Sequence, residues 1–119
     1  MRTFFLVILG GAAGTGVRYL VALMMGSGWR FPVATLAVNI AGSFVIGFVV
    51  PWAIRSALPA PLLAAITTGF LGGFTTYSAF NYELTVMATS GQAARALVYG
   101  VMTVCGCFVA GLAGLHFGR

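Results

Sequence analysis

Four stretches of this sequence, at about residues 4–25, 33–54, 62–88 and 96–117, each run for more than twenty residues with at most one charged side chain. A spanning helix needs about 20 mostly apolar residues, so the pattern predicts an all-α membrane protein of four transmembrane helices. Composition points the same way. Of the 119 residues, 6% are charged and 61% hydrophobic, against about 25% charged in soluble domains. So few charges cannot cover a water-facing surface. The bilayer is therefore the main solvent, membrane lipid the constant partner, and residues 1–119 a single domain. Short connectors separate the runs: Gly26-Ser27-Gly28 with Pro32, then Pro59 and Pro61, then Ser90-Gly91-Gln92. The amino terminus has the look of a signal peptide, with Arg2, an apolar run from Phe4 to Leu9, and small residues at Ala12 and Ala13. Gly14 to Arg18 nevertheless read as the continuation of one helix, so the segment is expected to stay as a span.

Every basic residue is an arginine (Arg2, Arg18, Arg30, Arg55, Arg95 and Arg119), and Glu83 is the only acid. The arginines are dispersed between apolar spans and form no basic stripe, so nucleic acid is excluded as a partner. Four spans put both termini on one side of the membrane. Arg2, Arg55 and Arg119 fall on that side; Arg30 and Arg95 fall on the other, with Arg18 near that end of the first span. Orientation follows the Lys/Arg bias of short loops. A balanced tally predicts dual topology, with copies inserted both ways up, and so permits an antiparallel homodimer with its two-fold axis in the membrane plane. If Arg18 faces the protein interior and is not counted, the bias is still only one charge.

Small and polar residues recur inside the apolar runs. Gly10 and Gly14 form a small-xxx-small pair, which lets helix backbones approach closely in lipid. Cys105 and Cys107 lie in an apolar helix with no companion ligand close by, and read as small packing residues rather than a metal site. The second span carries Thr35, Asn39, Ser43 and Gly47 four residues apart; the fourth carries Tyr99, Thr103, Cys107 and Gly111. Such spacing places each set on one helix face. The stripes are either interhelical glue or a file of hydrogen-bond donors for an ion. Arg18 either snorkels to the interface or, the reading favoured here, lines a wet vestibule where its charge concentrates anions. Glu83 either reaches the interface or is hydrogen-bonded within the bundle.

The third span reads Thr67-Thr68-Gly69-Phe70-Leu71-Gly72-Gly73-Phe74-Thr75-Thr76-Tyr77-Ser78-Ala79-Phe80. Two glycines followed by two β-branched threonines make a poor helix interior, and a break at mid-membrane is expected. Irregular backbone at that depth is tolerated only inside protein or beside a water-filled cavity. Broken helices commonly turn free carbonyls toward cations and free N–H groups toward anions. Just beyond, Tyr77 and Phe80 share a face, and aromatic rings have positive edges. The pair either packs or offers those edges to an anion.

The blocks Gly10-Gly11-Ala12-Ala13-Gly14-Thr15-Gly16-Val17-Arg18-Tyr19, Thr35-Leu36-Ala37-Val38-Asn39 with Gly42 and Gly47, and Gly69 to Phe80 together resemble the Fluc family of microbial fluoride channels over nearly the whole chain. The resemblance implies an antiparallel, dual-topology homodimer with two fluoride pores in the plasma membrane (the bacterial inner membrane). It implies a structural sodium ion, Na+, on the two-fold axis, held by backbone carbonyls corresponding to Gly72 and Thr75. It assigns Tyr77 and Phe80 to the aromatic pair at fluoride, Asn39 to the pore amide, Arg18 to the vestibule, and Thr103 and Cys107 to a hydroxyl track; Thr35 and Ser43 complete the polar stripe. Two positions depart from the pattern. Tyr77 stands where phenylalanine is usual, and Cys107, a weaker donor, where a hydroxyl residue is common. Fluoride is small and strongly hydrated, so a pore must replace its water shell with donors. The expected function is passive, selective fluoride export that protects against fluoride toxicity.

Two alternatives stand beside it. A small dual-topology multidrug-type transporter would need an acid in the first span, which this chain lacks. A non-transporting membrane subunit would use the stripes and glycines for packing alone. No Ser/His/Asp set or phosphate loop supports an enzyme, and His116 is a lone residue near the last membrane boundary.

Overall fold

A computed structural model describes residues 1–26 and 31–119. Ser27, Gly28 and Arg30, which enter the connector and charge readings, lie outside the described residues. Every described element is helical: α1 (Arg2–Met25), α2 (Val33–Arg55), α3 (Ala60–Ala64), a π-helical stretch (Ala65–Leu71), α4 (Gly72–Phe74), α5 (Tyr77–Thr89) and α6 (Ala93–Gly118). Helices α1, α2 and α6 are each long and apolar enough to cross a membrane. At 24, 23 and 26 residues they span about 35–39 Å, slightly more than the hydrocarbon core of about 30 Å. Their outer faces carry Phe4, Leu9, Leu23, Leu97, Val104 and Phe108, all exposed. For such faces lipid is the natural solvent, because no hydrophobic gain requires their burial against protein.

Between α2 and α6 the chain builds something less regular. The rod formed by α3, the π-helical stretch and α4 ends at Phe74; Thr75 (φ −87°, ψ 160°) and Thr76 (φ −153°, ψ 114°) are extended, and α5 starts at Tyr77. The sequence pointed to the glycines and the threonines together as the weak point; of these, Gly72 and Gly73 are helical and only the threonines are extended. The reason is packing. Gly73 lies against the Gly11 carbonyl and Thr15 of α1, where a Cβ would collide. The extended conformation falls instead on the two threonines, whose β-branched side chains favour it.

Helix α1 packs mainly on the π-helical stretch and α4, while α2 and α5 pack on α6. Close approach depends on glycine on both sides. Gly10 meets the Ala65 carbonyl and the Phe70 amide, the two ends of a five-residue turn, so the π geometry brings both beneath one glycine. Gly14 sits on the Phe70 carbonyl, and Gly69 on the backbone of Val7 and Gly10. Across the bundle, Gly47 faces the Gly111 carbonyl, and Gly114 and Gly118 face the carbonyls of Phe44 and Phe48. Gly14→Val is therefore expected to destabilise the fold by about 3 kcal/mol or more, the upper range for overpacking. Gly16→Val, where a Cβ meets nothing within 4 Å, is expected to be nearly neutral. Thermal unfolding of both variants in detergent, followed by size exclusion, checks the pair.

Candidate functional site

The two polar stripes meet across the α2–α6 contact. Asn39, Ser43, Thr103 and Cys107 line one groove, together with Thr67, Gly72, Thr75, Thr76, Tyr77 and Phe80 from the irregular segment. Its volume is about 510 Å³. The stripes continue past it, with Ser43, Gly47, Cys107 and Gly111 lining an adjoining apolar recess. Polar side chains opening from an apolar bundle are costly unless something bonds to them.

Most of the groove's polar atoms are engaged, and the pattern explains how the extended residues are held. In an unbroken helix the Thr76 N–H would close on the Gly72 carbonyl. Here it donates to Asn39 Oδ1 at 2.8 Å, while Asn39 Nδ2 donates to the Thr76 carbonyl at 3.0 Å. One amide side chain on α2 thus satisfies both backbone groups of Thr76, as a paired strand would. Asn39 is only 9% exposed, and one Nδ2 hydrogen is left over for another acceptor. Thr76 Oγ1 caps α5 by accepting from the Ala79 N–H at 3.2 Å, the usual N-cap arrangement. Thr75 Oγ1 donates to the Leu71 carbonyl, and Ser43 Oγ to the Asn39 carbonyl.

Thr103 is the exception. Its hydroxyl is buried, with no hydrogen-bond partner among the described residues. A buried hydroxyl is rarely left so, and this one lines the groove. Tyr77 and Phe80 flank it as a tilted ring pair, centroids 5.7 Å apart at 59°. Phe80 is buried at 6% exposure, but Tyr77 is 76% exposed and stands on the open side of the groove.

Glu83 lies just beyond, at one end of the stripes. Thr35 Oγ1 donates to its Oε1 and the Tyr99 hydroxyl to its Oε2, both at 2.8 Å. Tyr99, fully buried, also packs edge-on to Phe80 and Phe31. The sequence left Glu83 between interface and bundle interior; its two hydroxyl partners hold it in the bundle. The i, i+4 spacing of Thr35 and Tyr99 with their stripes was the available signal, but an acid on another helix has no such spacing to them.

Arg18 is not among the groove residues. It is half-buried on the α1 side, where its Nε donates to the Gly73 carbonyl at 2.9 Å. The sequence-derived residues therefore divide into a groove set (Asn39, Ser43, Tyr77, Phe80, Thr103, Cys107), Thr35 at Glu83, and Arg18 behind the extended pair. Gly72 and Thr75 also border the groove.

Comparison with known proteins gives consistent results. A family profile described as "CrcB-like protein, Camphor Resistance (CrcB)" matches residues 5–115. The chain is 42% identical over 116 residues to a protein of Anaeromyxobacter sp. (strain K), covering 95% of this chain and 92% of that one. It is 45% identical over 120 residues to one from Chlorobaculum tepidum, covering 99% and 92%. It is 34% identical over 119 residues to one from Methanocaldococcus jannaschii, covering 100% and 93%. Each of these relatives carries the name "Fluoride-specific ion channel FluC".

Proposed function

This chain belongs to the CrcB-like family, and on that premise we propose that it is a passive, fluoride-selective ion channel of the membrane. The observation that carries the reading is the groove itself. It offers the spare Asn39 Nδ2 hydrogen, the unpartnered Thr103 hydroxyl and the ring pair of Tyr77 and Phe80, all within an apolar bundle. These are donors and positive ring edges, and nothing in the groove carries negative charge. A dehydrated anion needs that environment. Glu83, with both oxygens taken by Thr35 and Tyr99, is poorly suited to the exposed carboxylate a cation exporter would need.

The working unit is an antiparallel homodimer of four-span subunits, the third span interrupted at Thr75 and Thr76. The groove is open along one side in a single copy, and Tyr77 stands largely uncovered at its edge. Hydrocarbon cannot face the exposed Gly72 backbone and the Tyr77 hydroxyl at the rim of the groove without cost, so a second copy closes the pore. A near-balanced arginine tally supports the antiparallel arrangement. Its membrane is the plasma membrane, and its direction of use is release of cytoplasmic fluoride down its gradient.

A sodium ion between the copies fits the backbone. The Gly72 carbonyl has lost the Thr76 N–H to Asn39, and the Thr75 carbonyl has lost the Ala79 N–H to the Thr76 hydroxyl. Carbonyl oxygens without helical donors suit a hard cation. Gly72 is exposed on the single copy, as a residue at a shared axis must be. When bound, the ion would take these carbonyl oxygens as ligands and staple the subunits.

Fluoride release from liposomes containing the purified protein, followed with a fluoride electrode and with chloride tested in parallel, decides the reading. Fast fluoride release with little chloride release is expected. Thr103→Val, which keeps the shape and removes the unpartnered hydroxyl, should slow release about tenfold, the effect of one lost hydrogen bond of about 1–1.5 kcal/mol. A folded protein that passes no fluoride would refute the assignment.

A further inference from the structure

We infer that Arg18 is a positioning residue: it fixes the extended Thr75–Thr76 pair from behind by capping the Gly73 carbonyl, and so acts on fluoride through the backbone rather than by gathering anions in a vestibule. The inference rests on the channel reading and deepens it.

In an unbroken helix the Gly73 carbonyl would accept from the Tyr77 N–H. Tyr77 instead begins α5, after two extended residues. The freed carbonyl points at α1, because Gly73 is pressed against Gly11 and Thr15. Arg18 Nε supplies the missing donor at 2.9 Å, with Thr15 Oγ1 at a marginal 3.5 Å. The glycines are what make this possible. Gly14 and Gly73 let the rod approach α1 closely enough for a side chain one turn beyond Gly14 to reach its end.

Charge strengthens the bond. The C-terminal end of a helix carries partial negative charge from carbonyls with no donor, and the rod Ala60–Phe74 ends at this point. A guanidinium there makes a charge-assisted bond, shorter and stronger than a neutral one. Arg18 also finds in that carbonyl a partner for a charge that would otherwise be costly at this depth.

The extended pair is thus gripped from both sides. Asn39 of α2 holds Thr76 by its N–H and carbonyl, and Arg18 of α1 holds Gly73. Between the two grips lie Phe74 and Thr75, and directly beyond the second starts α5, which carries Tyr77 and Phe80 into the groove. Releasing the Arg18 grip leaves Asn39 as the main side-chain anchor of the pair among the described residues, so the ring pair and the Asn39 donor lose their fixed separation. Arg18 does not line the groove of its own copy, so within one subunit its effect on the ion passes through this backbone.

The two roles for Arg18 differ in what salt and fluoride concentration do. Arg18→Lys and Arg18→Gln are compared with the parent protein in liposomes, across fluoride concentrations and at about 0.1 and 1 M ionic strength, where the screening length falls from about 10 to 3 Å. A positioning role lowers the maximal rate of both variants by roughly tenfold or more, the scale of a lost charge-assisted hydrogen bond. The half-saturating concentration and the salt dependence stay as in the parent. Arg18→Lys keeps the charge and places its single ammonium one atom beyond the Nε position, so it does not restore the rate. Amide hydrogen exchange reads the same grip without any flux: the amides of Tyr77–Phe80 should exchange faster in Arg18→Lys. A lysine variant with the parent's maximal rate and exchange, or a glutamine deficit that disappears at saturating fluoride or high salt, overturns the inference. If Arg18→Gln does not fold, the lysine variant decides alone. A parent protein that passes no fluoride refutes the channel reading instead, and leaves the exchange result to judge the grip.

Discussion

Asn39→Asp is expected to reduce fluoride release by about a thousandfold while the helices remain packed. The substitution changes one heavy atom. Oδ1 still accepts the Thr76 N–H, so the extended backbone keeps one of its two bonds. The other bond becomes a repulsion, because an oxygen replaces Nδ2 opposite the Thr76 carbonyl. The larger effect is on the ion. At a contact distance of about 4 Å and an effective dielectric constant of about 20, two like charges repel by about 4 kcal/mol, which corresponds to nearly three orders of magnitude in rate. The spare donor hydrogen is lost as well. Asn39→Ala separates the two contributions. It removes both bonds to Thr76 and adds no charge, so it should be the less stable protein and the less severe block. Efflux rates alongside thermal unfolding midpoints would show this crossing of order. An aspartate variant that conducts as well as the alanine variant would mean that no anion passes near residue 39.

That crossing depends on contacts the sequence exposes only in part. The apolar runs indicate where α1, α2 and α6 lie, because a bilayer demands length and uninterrupted apolarity and tolerates little else. The membership of the groove also has a local cause. Asn39 and Ser43, like Thr103 and Cys107, are four residues apart, and helical periodicity alone puts each pair on one face. What these side chains bond to is tertiary and has no local signature. Nothing in the order of residues marks the Thr76 N–H as the partner of Asn39, or the Gly73 carbonyl as that of Arg18. The place of the break within Gly72 to Thr76 is open in the sequence for a related reason. Gly72 and Gly73 invite a break by their flexibility, but what governs Gly73 is the backbone of α1 across the interface, visible only once the helices are docked. The π-helical stretch Ala65–Leu71 is likewise a product of packing beneath Gly10 rather than of propensity. Glu83 acquires its place because Thr35 and Tyr99 approach it from two other helices.

Biasing the loop charges is expected to abolish activity in each variant alone and to restore it when two opposite variants are made together. From the order of the apolar runs, Arg2, Arg55 and Arg119 are expected toward one membrane face, and Arg30, Arg95 and, near its helix end, Arg18 toward the other. The Lys/Arg excess on short loops sets orientation, so two added charges outweigh a tally this even. Thr3→Lys with Ser56→Lys loads the first face; Thr89→Lys with Ser90→Lys loads the second. All four positions are exposed in the structure and none borders the groove, so a loss of activity cannot come from the pore. In cells, a reporter fused to the carboxyl terminus should show each variant fixed in one orientation. A population of one orientation can form only parallel pairs. Those cannot bring two open grooves together about an axis in the membrane plane, and they leave the open edge of each groove, with Tyr77, facing lipid. Cells expressing either variant alone should therefore be as fluoride-sensitive as cells with none, and co-expression should return resistance. Full resistance from one fixed orientation would show that the pore closes without an inverted copy. Loss of resistance in the mixture, with both orientations present in the membrane, would place the cause in the loops themselves.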